Sequence, residues 1–359
     1  MIGTNRWYLF VFLLTAVVTA DGQAPRRSAN WTLLPFVKAD AANPILGPGN
    51  SSFVDPISKK KIYWEERDVF NPATVVRDGK VYLLYRAQDK AGTSRIGLAE
   101  STDGLHFRRY PTTVLYPDND VQKRYESPGG CEDPRVVEDE RGTYYMTYTA
   151  FDGKMARLMV ATSRDLVHWE KKGSAFARAG RGAVKWMDKW SKSGSIVSRY
   201  VGGKVVAARI RGRYWMYWGD THIWAAVSDN LIDWTPVEAP VLSPRMKKFD
   251  SDLVESGPPA MLTDQGIVLI YNGRNVRGKG DRSLAEGTYA GAQALFDKND
   301  PTKLIDRMDE YFIKPDKPYE FSGQVNQVCF LEGLAFLRGQ WFLYYGTADS
   351  KIAVAVKSK

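Results

Sequence analysis

The sequence predicts an all-β protein, a five-bladed β-propeller with an axial active-site pocket. Three observations predict it. First, a turn glycine followed by an aromatic-rich strand recurs at Gly79–Tyr85, Gly142–Tyr148 and Gly212–Trp218, with weaker copies starting at Gly266 and Gly339. Second, the first three copies are followed by another strand and a seven-residue phrase, 101–107, 163–169 and 228–234, whose leading serines are 62 and 65 residues apart. Third, a short strand opened by polar residues, usually with proline, precedes each aromatic strand, and positions 71, 133, 193 and 255 are spaced by 62, 60 and 62. Short strands repeating at a fixed period with turns between them are the signature of propeller blades. Five copies predict five blades. The period exceeds that of a usual blade, so long loops are expected between strands.

The elements follow in order. Arg6, an apolar run from Trp7 to Val18 and small residues ending at Ala20 form the pattern of a secretory signal peptide over residues 1–20. The run is short for a membrane-spanning helix, although retention as an uncleaved anchor stays open. A polar tail is expected over 21–35 and a single catalytic propeller over 36–359. The pattern implies a secreted or periplasmic protein with no integral membrane domain. The net charge of +9 is dispersed rather than gathered into a stripe, which argues against a nucleic-acid partner. Hydrophobic residues make up 44% of the chain, enough for a core, and most of the 13% that are aromatic suit packing within strands.

The axial pocket is read from register. The first strand of a blade lines the axis, so its equivalent positions converge at one mouth. The openings Asn71-Pro72-Ala73, Asp133-Pro134-Arg135, Ser191 to Gly194, Glu255 to Pro259, and Asn326-Gln327 leading to Glu332 therefore place Asn71, Asp133, Lys192, Glu255 and Glu332 in one pocket. In the segment Gly129 to Arg135, Glu132 and Arg135 flank Asp133 and are placed to tune its proton affinity. Asp220 joins Glu255 on the opposite side. Asn71, Arg86, Asp89 and Asp349 are candidates for holding sugar hydroxyls. The competing reading is that Asp89, Asp220 and Asp349 end strands in turns, where aspartate is common.

Other chemistries lack their signatures. His106 and His168 share one place in the repeated phrase, which points to a structural role, and His222 stands alone. No spacing resembles a zinc site, and there is no phosphate loop or nucleophile elbow. No metal or organic cofactor is expected. Cys131 and Cys329 lie at first-strand positions; a bond between them and two buried free thiols both remain open, with free thiols favoured. A carboxylate-lined mouth suits inverting glycoside cleavage, which needs one protonated acid and one carboxylate that activates water.

On these residues the chain resembles glycoside hydrolase family 130, the mannoside phosphorylases and β-mannosidases. The matching stretches are FNPATVV (70–76), VYLLYRAQD (81–89), SRIGLAESTDGLHF (94–107), GGCEDPRVVE (129–138), YYMTYTAFDG (144–153), SKSGSIV (191–197), RYWMYWGD (213–220), FDSDLVESGPPAMLT (249–263), YAGAQALFD (289–297) and FLYYGTADS (342–350). The resemblance implies a five-bladed propeller, with Asp133 as a general acid whose proton passes through a sugar hydroxyl. It also implies that Arg157 and Lys192 remain from a phosphate-binding set, while the blocks carrying Asp220 and Glu255 are similar to the hydrolase branch. A carboxylate there repels a phosphate dianion and suits a water nucleophile. One departure is Asp220, where the branch carries glutamate. Either Glu255 is the base and Asp220 assists it, or the pocket has closed in to compensate.

The reading is an inverting exo-acting β-mannosidase, β-1,2-specific, acting on a mannoside oligosaccharide. The alternatives are a β-mannoside phosphorylase using inorganic phosphate and a non-catalytic glycan-binding propeller.

Overall fold

The computed structural model describes residues 30–180 and 183–358. The expected signal segment and the tail as far as residue 29 lie outside the described residues. The rest is predominantly β, as expected, and consists of five antiparallel units.

The first unit runs Asp68–Arg77, Lys80–Gln88, Ser94–Ser101 and Arg108–Arg109. The second runs Gly130–Glu138, Tyr144–Phe151, Ala156–Ser163 and Glu170–Ser174. The third pairs Ser195–Ile196 with Arg213–Trp218, Ile223–Ser228 and Thr235–Leu242, and carries an inserted hairpin, Ser198–Val201 with Lys204–Ala207. The fourth joins Leu253–Ser256 and Met261–Leu262 to Ile267–Arg274, Tyr289–Phe296 and Leu304–Arg307. The fifth joins Cys329–Leu337, Gln340–Thr347 and Lys351–Ser358, and is completed by Val37–Lys38 from the start of the described chain, with Val37 opposite Val356.

The repeated glycines explain the hairpins. Asp78-Gly79, Arg211-Gly212 and Arg338-Gly339 each place two successive residues at positive φ. That turn follows the right-handed twist of the strands it joins, and glycine adopts it without strain. The seven-residue phrase is a second turn device. Ser101 Oγ accepts from the amides of Asp103 and Gly104, and Asp103 Oδ1 accepts from those of Leu105 and His106. Ser163 and Asp165 repeat the pattern with the amides of Leu166, Val167 and His168. The exposed rings of His106 and His168 lie 2.8 and 2.7 Å from Asp103 and Asp165, so both histidines serve the turn, as their shared register predicted.

Five apolar clusters lie between the units in cyclic order. One packs the first unit on the second through Leu84, Val136 and Met146. Others join second to third through Val160 and Trp218, third to fourth through Tyr217 and Leu269, and fourth to fifth through Ile270 and Leu343. The last joins fifth to first through Leu83 and Val354. Both cysteines are buried in this interior as free thiols.

Four of the five units share a buried polar clasp that the sequence did not reveal. An acid from the segment before the first strand accepts a tyrosine hydroxyl from the second strand and meets a base from the outer edge. The sets are Glu65, Tyr85 and Arg109; Glu126, Tyr148 and Lys171; Asp250, Tyr271 and Arg307; and Glu320, Tyr345 and Lys38. The third unit substitutes an aromatic cluster of Phe176, Trp186 and Trp218. Hydrogen bonds to a buried charged group are among the stronger ones. Tyr148→Phe is therefore expected to lower stability by about 2 kcal/mol, read from the chemical-denaturation midpoint, because Glu126 keeps its charge partner but loses a donor.

Candidate active site

Three of the first strands do not pair evenly with their neighbours. The register of Asp68–Arg77 on its partner slips between Phe70 and Pro72, that of Gly130–Glu138 between Glu132 and Arg135, and that of Cys329–Leu337 between Leu331 and Gly333. Each slip is a β-bulge, which turns the extra residue out of the ladder. The extra residues are Asn71, Asp133 and Glu332. Pro72 and Pro134 follow two of them and have no amide to lose at the break. Asn71 and Asp133 sit at φ +47° and +46°, and Ser193, at the matching position of the third unit, at +58°. Non-glycine residues hold such angles only where the surroundings enforce them, and such positions cluster at functional sites.

The side chains so placed form one network. Asp133 is buried; its Oδ1 accepts from Asn71 Nδ2 at 2.9 Å and Arg86 Nη1 at 3.1 Å. Its Oδ2 lies 3.4 Å from Lys192 Nζ. Arg86 also reaches Glu132 at 2.6 Å and lies over the ring of Phe70. Lys192 continues to Glu255 Oε1 at 3.1 Å, and Ser193 Oγ donates to that same oxygen. Asp220 follows on a turn tied on both sides: the Gly219 amide donates to the Lys192 carbonyl at 2.8 Å, and the Val254 amide, next to Glu255, donates to the Thr221 carbonyl at 3.2 Å. Asp349, at φ +50°, faces the same charges and accepts no hydrogen bond from the described residues.

Asn71, Arg86, Glu132, Asp133, Lys192, Asp220, Glu255 and Asp349 are thus brought together; of these, register had placed Asn71, Asp133, Lys192 and Glu255 in one pocket. Four candidates have other places. Asp89 is bound to Arg95 Nη1 at 2.7 Å and to the Thr93 amide at 3.0 Å, so it closes a turn. Arg157 pairs with Asp152 at 2.7 Å and lies over Tyr125. Arg135 helps to lower Asp133 through its charge, as its flanking position suggested, but makes no hydrogen bond to the carboxylate. It is 1% exposed, and its donors reach the carbonyls of Gly257, Ser256 and Asp133 at 3.0, 2.8 and 3.1 Å. Glu332 lies 3.5 Å from Arg135 and is wholly buried, with no hydrogen-bond partner among the described residues. The pair joins the second, fourth and fifth units. Linear sequence could not separate these cases, because an arginine two residues from an aspartate looks the same whether it points at the carboxylate or past it.

Ser193, Ser94 and Trp190 were missed. Ser193 lay at the repeat position itself, which was a usable signal. Ser94 Oγ donates to Glu132 at 3.1 Å and takes Arg86 Nε at 3.0 Å. Trp190 Nε1 donates to Asp220 Oδ2 at 2.9 Å, from an irregular segment that carries no register.

Charges divide the carboxyls. Burial opposes ionisation of Asp133, but Arg86, Lys192 and the Asn71 amide overcome it and hold the group well below the ordinary carboxylate range. Glu255 is pushed up, by burial first and by Asp220 further, against the pull of Lys192 and Ser193. Burial pushes Asp349 up to about 6. Burial also pushes Glu332 well up. Burial opposes the Lys192 charge, yet Glu255, Asp133 and Asp220 keep it protonated. A site with one strongly ionised carboxylate, one of raised basicity and a lysine between them can carry paired proton transfers.

The family model described as beta-1,4-mannooligosaccharide phosphorylase, that of glycoside hydrolase family 130, matches residues 42–359. A 1,2-beta-oligomannan phosphorylase of Thermoanaerobacter sp. is 33% identical, over 82% of this chain and 90% of its own. Among solved structures, a putative glycosidase from Bacteroides thetaiotaomicron is 49% identical, with a TM-score of 0.89 over 92% of this chain and 99% of its own. Another is 46% identical, with a TM-score of 0.90 over 92% of this chain and 96% of its own; its description says that the family of mannoside phosphorylases contains glycoside hydrolases targeting beta-1,2 mannosidic linkages in Candida mannan.

Proposed function

The chain belongs to glycoside hydrolase family 130, and from that premise we propose that it is an inverting, exo-acting β-1,2-mannosidase that uses water. The cyclic order of the five clusters supports reading the units as blades of a five-bladed propeller, with the site at its axis. The N-terminal pattern of Arg6 and Trp7–Val18 supports action outside the cytoplasm.

One observation carries the choice of water. The cations at the site already have carboxylate partners: Arg86 is held by Glu132 and Asp133, and Lys192 by Asp133 and Glu255. Arg157, the other residue expected of a phosphate set, is bound to Asp152. A phosphate dianion entering here meets carboxylates in a poorly screened pocket, where like charges repel strongly.

In the proposed reaction Glu255 takes a proton from water as the water oxygen bonds to the anomeric carbon. The glycosidic bond breaks, and the leaving oxygen receives a proton from a sugar hydroxyl that Asp133 resupplies. Asn71, Arg86, Glu132 and Asp349 hold the sugar. The productive form has Asp133 protonated and Glu255 ionised. In the sugar-free site that form is minor, so a bound sugar must take over some donors from Asp133 before it can hold a proton.

The competing reading, a phosphorylase, is favoured by the named activity of the 33% identical relative. A digest of β-1,2-mannobiose with and without inorganic phosphate, followed by proton NMR from the first minutes, separates the two. Free α-mannose at equal rates in both tubes is expected. Mannose 1-phosphate formed only with phosphate would overturn the proposal.

A further inference from the structure

Trp190 stands at the mouth of the site in an unusual position. It is 42% exposed, large for an indole, and its ring meets Phe151 edge-on with centroids 6.1 Å apart. Its one polar atom is committed to Asp220 Oδ2 at 2.9 Å. That is the one side-chain hydrogen bond to the Asp220 carboxylate among the described residues. The backbone beneath is fixed: Gly219 at φ +112° and Thr221 at φ +62° form a turn tied to Lys192 on one side and to the strand of Glu255 on the other. The turn therefore sets where the Asp220 backbone lies, while Trp190 sets where its carboxylate points.

We propose that Trp190 is a positioning residue, whose indole N–H fixes the Asp220 carboxylate beside Glu255 and so sets the basicity of the group that activates water. The proposal deepens the hydrolase reading and rests on it. It decides between the two roles open to Asp220: Glu255 is the base, and Asp220 is the fixed charge that keeps a proton welcome there. It also accounts for the shorter side chain. An aspartate reaches less far than a glutamate but has one fewer rotatable bond, and a single donor immobilises it.

The charges and polar groups facing Glu255 make its response legible. Lys192 and Ser193 contact it; Arg135 from the second unit and Asp220 from the third act on it; Glu332, Tyr289 and Asp349 also feel its charge. Of these, Asp220 is the acid that raises it. If the Asp220 carboxylate swings away, that contribution falls and Lys192 dominates. Glu255 then loses its proton at lower pH and becomes a weaker base.

The experiment is the pH dependence of kcat/KM on β-1,2-mannobiose for the wild type, Trp190→Phe, Asp220→Asn and the double variant. Phenylalanine keeps a ring against Phe151 and removes only the donor. Trp190→Phe is expected to lower kcat about tenfold with KM changed less than threefold, and to move the acid limb to lower pH. Asp220→Asn should move that limb the same way, and the double variant should add nothing further, since both remove one interaction. Trp190→His, which restores an N–H, should recover part of the loss. A limb that stays in place in Trp190→Phe, or effects of the two single variants that add fully, would overturn the proposal. A wild type that needs phosphate would instead overturn the hydrolase reading, and it is scored separately, before any variant is made.

Discussion

Asp133→Asn is expected to lower kcat on β-1,2-mannobiose by about a thousandfold or more, with sugar affinity changed less than about threefold. General acid catalysis supplies roughly 10² to 10⁴ in rate, so removing the donor should fall near the upper end where the leaving oxygen is a sugar alkoxide. The amide keeps the shape of the carboxyl. Its oxygen still accepts from Asn71 and Arg86, which hold Oδ1 of the aspartate. Its nitrogen faces Lys192, which retains Glu255 as partner. Binding should therefore survive while proton delivery does not. Turnover is followed by mannose release and affinity by calorimetry. An aryl mannoside with an acidic phenol, whose departure needs no proton, should lose far less rate. Near-normal turnover of the disaccharide would remove Asp133 from the acid role.

The second large effect concerns the fold. Arg135→Met is expected to cost about 3–5 kcal/mol, because it leaves three buried carbonyls without their donors. The side chain is buried, and its partners belong to different units, Ser256 and Gly257 in the fourth and Glu332 in the fifth. Water cannot replace those bonds readily at so closed a position. Arg135→Lys should recover little of the loss, since one ammonium cannot span the fork that a guanidinium fills. Thermal denaturation should place both variants several degrees below the wild type. An unchanged transition in Arg135→Met would show that the axis is held elsewhere.

Much of this architecture was legible in the chain, for physical reasons. Hairpin turns with two positive φ values select Gly79, Gly212 and Gly339, and with the turn glycines Gly142 and Gly266, also at positive φ, these mark five units. The spacing of 62, 60 and 62 located Asn71, Asp133, Ser193 and Glu255, the first two of them bulged, because equivalent places in a repeat are brought to equivalent positions in their units. Direction was not legible. Asp89 precedes Arg95 by one hairpin and is captured by it. Arg135 tunes Asp133 by charge alone, since its donors turn to the carbonyls of Asp133, Ser256 and Gly257. The clasps escaped notice because their acids lie in irregular connections of different lengths. The inserted hairpin of the third unit also carried no warning, since it breaks the period rather than repeating it. Trp190 was invisible for the same reason: it acts from a segment without register.

The closing strand sets an order of events. Val37–Lys38 completes the fifth unit beside Lys351–Ser358, and Lys38 also supplies the base of that unit's clasp. As the chain leaves the ribosome, this early segment has no partner until almost everything after it has been made. Units one to four can collapse in turn on local contacts, but the fifth waits for the two ends of the described chain to meet in the strand pairing of longest sequence separation among the described residues, and such non-local pairings form slowly. Until they meet, the fifth sheet presents a bare edge of the kind that invites pairing with another chain. The strand that completes the fifth unit is therefore also its timekeeper, and the interval before it docks is the period in which a nascent molecule is most exposed to joining the wrong partner.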